Sequence, residues 1–249
     1  MSMLTIKDLT YAFKGSNPIF QQLNIEVLPG EFVSIIGASG SGKSTLFKLI
    51  TGLLEPDQGE IQINNQCSSV RLGKVGYMPQ NDLLLPWRTV LENVILPVEI
   101  QKEKKQQKIP EIKDWLAKFG LTNYEEAYPH ELSGGMRQRV AFLRTLMTGK
   151  DLLLLDEPFG ALDSMTKRSM HSWLLDLWSE LQKTVLFITH DLEEAILLSD
   201  RIYILQSDHN ESIKEVTITI PRPRNSNLIF QAEFMSMRKE LEQLINEKG

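Results

Sequence analysis

The chain is short of several things. It has one cysteine, Cys67, in 249 residues. An internal disulfide is therefore excluded, which fits a reducing compartment, and the lone thiol is assigned no role. No apolar run approaches the roughly 18 residues that cross a bilayer as a helix, so any membrane role has to come through a partner. The opening MSMLTIKDLT lacks the apolar core of a signal peptide, and the expected location is the cytosol. Basic excess is missing too: the net charge is −5. The basic patch that marks a duplex-DNA binder is not expected, nor is a nucleic-acid partner. There is no internal repeat and no low-complexity segment.

What is present is ordinary in bulk, 42% hydrophobic and 24% charged, and the length allows one large α/β domain or one with an insertion. Strand and helix patterns alternate. EFVSIIG (31–37) reads as a buried strand entering a glycine-rich loop, and Leu46, Leu49, Ile50 and Leu53 follow at helical spacing. LLLLDE (152–157), VLFITH (185–190) and RIYILQ (201–206) are apolar runs without alternation. Such runs suit strands covered on both faces of a parallel sheet. Between 163 and 182, Met170, Trp173, Leu174, Leu177, Trp178 and Leu181 form one helical stripe that reads as core. Residues 81 to about 145 read as a mostly helical insertion, with QKEKKQQK (101–108) as a solvated face or loop. After 206 the strand signal weakens. PRPRN (221–225) breaks the chain, and Phe230, Phe234, Met237, Leu241 and Leu244 mark a last amphipathic helix.

Chemistry starts at GASGSGKST (37–45). Gly37, Gly42, Lys43 and Ser44 satisfy G-x-x-x-x-G-K-[ST], after a strand and before a helix. The loop residues Ala38, Ser39, Gly40 and Ser41 and the flanking Thr45 complete it. Glycines let backbone N–H groups curl around a β-phosphate. Lys43 would bridge the β- and γ-phosphates, and the Ser44 hydroxyl would ligate Mg²⁺. Asp156, at the carboxyl end of a buried strand, would hold the metal through water. Glu157 beside it would polarise the attacking water as general base. A GTPase would need a guanine-reading N-K-x-D, which the sequence lacks.

LSGGMRQRV (132–140) reads as a second, unexpected phosphate contact. It has no carboxylate, histidine or thiol. Ser133 reads as an N-cap ahead of a helix, and Gly134 and Gly135 permit close backbone approach to an anion. A small-molecule kinase has no need of it.

Together these pieces resemble the ATP-binding cassette (ABC) ATPase family, over residues 3 to 206. GASGSGKST is similar to the Walker A loop, YMPQ (77–80) to the Q-loop, LSGGMRQR to the signature, LLLLDEP (152–158) to Walker B with the catalytic glutamate. GALD (160–163) is similar to the D-loop and ITH (188–190) to the switch histidine. The resemblance implies an α/β P-loop NTPase with a helical subdomain inserted in a mainly parallel sheet core. It places the cassette at 1–220, the Q-loop and helical subdomain at 80–145 within it, and a helical tail at 221–249. It implies ATP and Mg²⁺ as ligands and a head-to-tail dimer with two ATP sandwiched between cassettes. Ser133, Gly134 and Gly135 would then face the γ-phosphate on the other subunit, with Asp163 in the same interface. Gln80 would reach the metal and water, and His190 would contact the γ-phosphate and position the water. Phe13 takes the place of the adenine-stacking aromatic, with Tyr11 as the alternative. One departure is Met136, where a glutamine usually follows LSGG.

LLPWRTVLENVILP (84–97) resembles the nitrate, sulfonate and taurine uptake branch, which includes importers of thiamine-precursor pyrimidines, and PRPRN is similar there too. That implies the ATPase subunit of a bacterial importer at the cytoplasmic face of the membrane. Its partners would be a separate permease and an extracytoplasmic solute-binding protein. Trp87 and Arg88 are expected to meet the permease; Leu83 and Leu85 either line that groove or pack the subdomain. The alternative is a non-transport ABC ATPase acting on nucleic acid or as a regulator. No sustained heptads lie between Walker A and the signature, and only one cassette is present, so the transport reading is preferred. Replacing Lys43 with Ala should remove most ATP affinity, because the phosphates lose their main point charge. Unchanged hydrolysis by that variant would refute the reading of the loop.

Overall fold

The computed structural model describes residues 1–67, 70–160, 162–206 and 213–246. The chain divides into two compact units, one joining Met1–Lys74 to His171–Gly249 and the other running from Val75 to Met170.

The first unit opens with strands β1 (Leu4–Ala12) and β2 (Pro18–Val27). Leu4, Ile6, Leu9 and Tyr11 of β1 are buried, with more exposed residues between them. That is the period of a strand with one covered face. Strand β3 (Phe32–Gly37) is buried from Phe32 to Ile36. Helix α1 (Lys43–Thr51) follows, then β4 (Gln58–Ile63) and β5 (Gln66–Cys67). β2, β1, β4 and β5 form an antiparallel sheet in that order, with Leu4 opposite both Val27 and Ile63.

The second unit contains β6 (Gly76–Met78), α2 (Val90–Val94), α3 (Leu96–Ile100), α4 (Lys105–Lys118), α5 (Gly134–Leu146) and β7 (Leu152–Asp156). β6 runs parallel to β7, with Tyr77 beside Leu154. Thr89 and Glu92 close a capping box at the start of α2, a reciprocal pair that satisfies two otherwise orphaned N–H groups. Ile112 and Leu116 of α4 are buried, and the Phe119 ring lies 6.1 Å from that of Phe142 on α5. The polar run 101–108 is exposed up to Gln107, as its composition suggests.

Helix α6 (Ser164–Leu181) begins in the second unit and ends in the first. β8 (Thr184–Ile188), α7 (Leu192–Leu198), β9 (Arg201–Leu205), β10 (Lys214–Thr217) and α8 (Ala232–Asn246) complete the first unit. β3 is parallel to β8 on one side and β9 on the other, and β10 adds antiparallel to β9. Phe32 packs its ring 5.7 Å from Phe187 and 5.9 Å from Trp178, whose indole N–H donates to Lys183 O at 2.9 Å.

PRPRN has a physical job here. Arg224 is buried and donates to Ile220 O at 2.9 Å and Ile196 O at 3.1 Å, and also to Ser199 O. It thereby satisfies carbonyls at the end of α7. Burial first, and the neighbouring Arg222 second, push its pKa down to about 10. Arg222 lies over the Trp178 ring and pairs with Asp200 at 2.8 Å.

Two apolar positions do not follow the helical stripes. α1 ends at Thr51, Gly52 caps it with φ 80, and Leu53 lies beyond the helix and exposed. Phe230 sits in a 3₁₀ turn ahead of α8, also exposed, whereas Phe234, Met237 and Leu241 are buried.

β1 carries a bulge: Asp8 has φ 48, and the register against β4 slips between Lys7 and Thr10. Gly59, at φ 84, faces it, and a methyl added there would collide with the backbone oxygens of Lys7 and Asp8. Gly59→Ala is therefore expected to cost about 2–3 kcal/mol, read as a lower urea midpoint. An unchanged midpoint would mean that the bulge relaxes freely.

Candidate active site

The phosphate loop is built by β3 and α1. β3 has no polar face, so it is held on both sides and delivers Gly37 at a fixed end. The turn closes through Gly42, whose φ of 92 disfavours other residues and whose Cα approaches Phe20 so closely that an added Cβ would lie 2.8 Å from its ring. Gly42 is the N-cap of α1 and offers no side chain to the first-turn N–H groups. Uncapped donors at a helix start favour an anion. Lys43 is only 8% exposed and donates to Gly37 O and Ala38 O, both at 2.9 Å. Ser41 Oγ is buried without a hydrogen-bond partner. A buried ammonium curled over its own loop, an orphaned hydroxyl and a helix start without a side-chain cap together fit a polyphosphate. Ser44 is exposed and Thr45 half-buried.

His190 follows β8 and is exposed. It shares a cavity of about 340 Å³ with Gly37, Ala38 and Ser39, so the structure brings the loop and the histidine together. Glu242 and Ile245 of α8 line the same cavity. Arg238 ties α8 down, donating to Glu193 Oε1 of α7 at 2.7 Å and to Glu242 Oε1 at 3.0 Å. Phe13 is exposed and meets the buried Tyr11 edge-on, with ring centroids 5.3 Å apart.

In the second unit, Asp156 ends β7 and is 3% exposed. The Tyr77 hydroxyl lies 3.5 Å from its Oδ2. Burial first, then the negative charge and hydrogen bond of Asp156, push the Tyr77 pKa up to about 12, so the phenol stays a donor. Sequence reasoning quoted Tyr77 within YMPQ but gave it no role. Glu157 has φ 45, a left-handed conformation that costs a residue with a side chain about 1–3 kcal/mol. Its Oε2 accepts from Gln80 Nε2 at 3.0 Å, so these two expected site residues are in contact.

Ser133 caps α5 as its sequence position suggests, accepting from Met136 N–H at 3.3 Å. Gly134 and Gly135 form the first turn. Their missing side chains leave room for Leu162 and Thr166: a Cβ on Gly135 would sit 2.8 Å from Thr166 Cγ2. Asp163 caps α6, accepting from the N–H groups of Met165 and Thr166 and from the Thr166 hydroxyl at 2.6 Å. The Thr166 hydroxyl, followed by its N–H, holds the Asp163 carboxyl below its usual range. Ala161, within the expected D-loop, lies outside the described residues.

The segment after Gln80 is held by groups that sequence reasoning missed. Arg137 donates to Asp82 Oδ2 at 3.2 Å, and Arg144 donates to Leu83 O at 2.8 Å. The fully buried Asn93 donates to Leu85 O, Arg88 O and Thr89 O and accepts from Leu85 N–H. A lone amide in the apolar run VLENV was the available signal. Leu83 and Trp87 are exposed, Leu84 is buried and Leu85 half-buried. Arg88, expected to meet the permease, pairs with Glu99 at 2.9 Å.

One unit thus holds a phosphate loop with an uncapped helix, and the other, taken by itself, holds a buried strand-end carboxylate, a strained glutamate and a Ser-Gly-Gly helix start. Residues 20–160 match the family model described as ABC transporter. The formylaminopyrimidine import ATP-binding protein ThiZ of Halalkalibacterium halodurans is 47% identical over 99% of this chain and 98% of that protein. The nitrate import ATP-binding protein NrtD of Synechocystis sp. is 40% identical over 97% and 94%. Among solved structures, the dimeric structure of MJ0796, a bacterial ABC transporter cassette, superposes with a TM-score of 0.76 at 32% identity, covering 88% of this chain and all of that one. The chain belongs to the ABC transporter family, as an ATP-binding cassette with ATPase activity.

Proposed function

We propose that the chain is the ATP-hydrolysing subunit of a bacterial importer, working at the cytoplasmic face of the membrane on a separate permease that an extracytoplasmic binding protein supplies with solute. The import names of its 47% and 40% identical relatives support this reading. Their solutes are small and polar, and a pyrimidine precursor is preferred over nitrate because the former relative is the more similar.

Each residue has a role in keeping with its surroundings. Backbone donors of residues 37–45 and the Lys43 ammonium bind the ATP phosphates, which displace Lys43 from the carbonyls of Gly37 and Ala38. Phe13 stacks on the adenine, since its ring is exposed and that of Tyr11 is buried. Ser44 in one unit and Asp156 and Gln80 in the other are the residues that would hold Mg²⁺, which would supply charge neutralisation at the phosphates. Glu157 takes the proton of the attacking water, with Gln80 orienting its carboxylate until nucleotide arrives. His190 orients the γ-phosphate. In a symmetric dimer, Ser133, Gly134 and Gly135 approach the γ-phosphate of the partner's ATP, and Asp163 fixes the helix start beside them. The observation that carries the reading is Glu157: a carboxylate held in a costly conformation, hydrogen-bonded to a second polar side chain, next in sequence to a buried aspartate.

Glu157→Gln should keep ATP binding, lower turnover by about 10²-fold or more and leave an ATP-dependent dimer visible by size-exclusion chromatography. Turnover within twofold of the unmodified protein would remove Glu157 as the base.

Coupling to the permease is assigned to the exposed Trp87 and Leu83. Arg88 is already engaged with Glu99, so Trp87 makes the cleaner test. Trp87→Ala should leave ATPase activity of the isolated subunit unchanged and abolish solute uptake by the assembled transporter. Full uptake by that variant would rule this surface out as the docking site.

A further inference from the structure

His190 hangs from a short connection between β8 and α7, and the residues on either side of it are tied to one buried carboxylate. Glu194 of α7 is 2% exposed, Thr189 2% and His171 of α6 7%. The Thr189 hydroxyl donates to Glu194 Oε2 at 2.5 Å and accepts from the Asp191 N–H at 3.0 Å. Glu194 Oε1 lies 3.1 Å from His171 Nε2. Asp191 in turn caps α7, its Oδ1 accepting from the N–H groups of Glu193 at 2.9 Å and Glu194 at 3.4 Å. Thr189 and Asp191, on either side of His190, are therefore held in one ring of hydrogen bonds, while the imidazole lines the cavity shared with Ala38 and Ser39.

Burying a carboxylate is costly, and three well-packed apolar side chains would hold α7 against α6 at least as firmly. A buried polar ring differs from such packing in being directional: it fixes the dihedral angles of the connection as well as its position. We propose that Glu194 and His171 are positioning residues for His190. They hold the connection 189–191 so that the imidazole meets the γ-phosphate at hydrogen-bond distance. This rests on the γ-phosphate role given to His190 above. Nucleotide binding through Lys43 and the loop backbone does not pass through the ring, so its loss should fall on turnover and spare affinity.

The test is a cycle of variants in the full-length chain, measuring kcat, KM for ATP and thermal midpoint. Glu194→Ala should lower kcat by about tenfold or more with KM within twofold. Glu194→Gln should recover most of the rate, since an amide can accept from Thr189 and donate to His171. His171→Leu should lower kcat less than Glu194→Ala, because the Thr189 bond survives. His190→Ala then separates the two readings. If it leaves kcat unchanged, the γ-phosphate role of His190 fails. If it lowers kcat and the His190→Ala/Glu194→Ala double variant is no slower than His190→Ala alone, Glu194 acts through His190. If the two losses multiply, the positioning proposal is overturned while the role of His190 stands. Should Glu194→Ala not fold, Thr189→Val replaces it in the same cycle, since it opens the ring at nearly constant volume. Wild-type kcat in that variant would overturn the proposal equally.

Discussion

An ammonium nearly sealed from water needs oxygen around it, and this requirement organises the phosphate loop. Lys43 is held against Gly37 O and Ala38 O. It can reach them because β3 brings Gly37 to a fixed point and Gly42 turns the chain back into α1 at once. β3 is fixed in turn because β8 and β9 flank it in parallel register and leave it no exposed face until Gly37. The arrangement is poised rather than satisfied. Neutral carbonyls are weaker partners for a cation than anionic oxygens, and the N–H groups of the first turn of α1 have no side-chain cap. A polyphosphate improves both at the same time. It need not induce the site, only take over bonds the loop now makes with itself.

The second unit spends stability in the same manner. Glu157 occupies a left-handed conformation immediately after the all-buried β7, and Asp156 keeps a carboxylate at 3% exposure with the Tyr77 hydroxyl near it. Neither feature helps a strand end to fold. Each is tolerated because β7 is buried along its whole length and has no freedom to relax. A strand end of this sort keeps a carboxylate at a defined angle without the reorganisation that a mobile loop would need.

Much of this was legible. The unbroken apolar runs located β3, β7, β8 and β9, and the glycine and lysine spacing located the phosphate loop, because burial on two faces and an anion-binding turn leave few sequence options. The antiparallel sheet of β1, β2, β4 and β5 was not foreseen. Its strands alternate imperfectly, and the bulge at Asp8 puts two exposed residues in succession where the period calls for one. β10 was missed since its four residues are half-buried or exposed at a sheet edge. Leu53 and Phe230 fit helical spacing by arithmetic, yet one lies past a glycine cap and the other before the helix begins. Spacing cannot detect where hydrogen bonding stops. Glu194 and His171 were invisible for a different reason: 23 residues apart in sequence, each looks like a surface residue until the fold closes over both.

One further dependence follows from α5. The helix that starts at Ser133 also holds the segment that follows Gln80. Arg137, in its first turn, donates to Leu132 O at 2.8 Å as well as to Asp82. Two turns on, Arg144 donates to the backbone of Asp82 and Leu83. Burial lowers the pKa of Arg144, with Asp82 opposing the shift, yet a guanidinium at neutral pH keeps its charge. Asn93 fixes the far end of the same segment. Leu83 and Trp87 are thus exposed on a loop that is gripped at Asp82, Leu83, Leu85 and Arg88, so they cannot shift without α5 or α2 shifting too. Any displacement of α5 would carry the exposed loop with it, because the arginines connect backbone to helix directly. A looser loop could bind a membrane partner equally well. It would move independently of α5, whereas the donors committed to this short stretch tie its backbone to that helix and to α2.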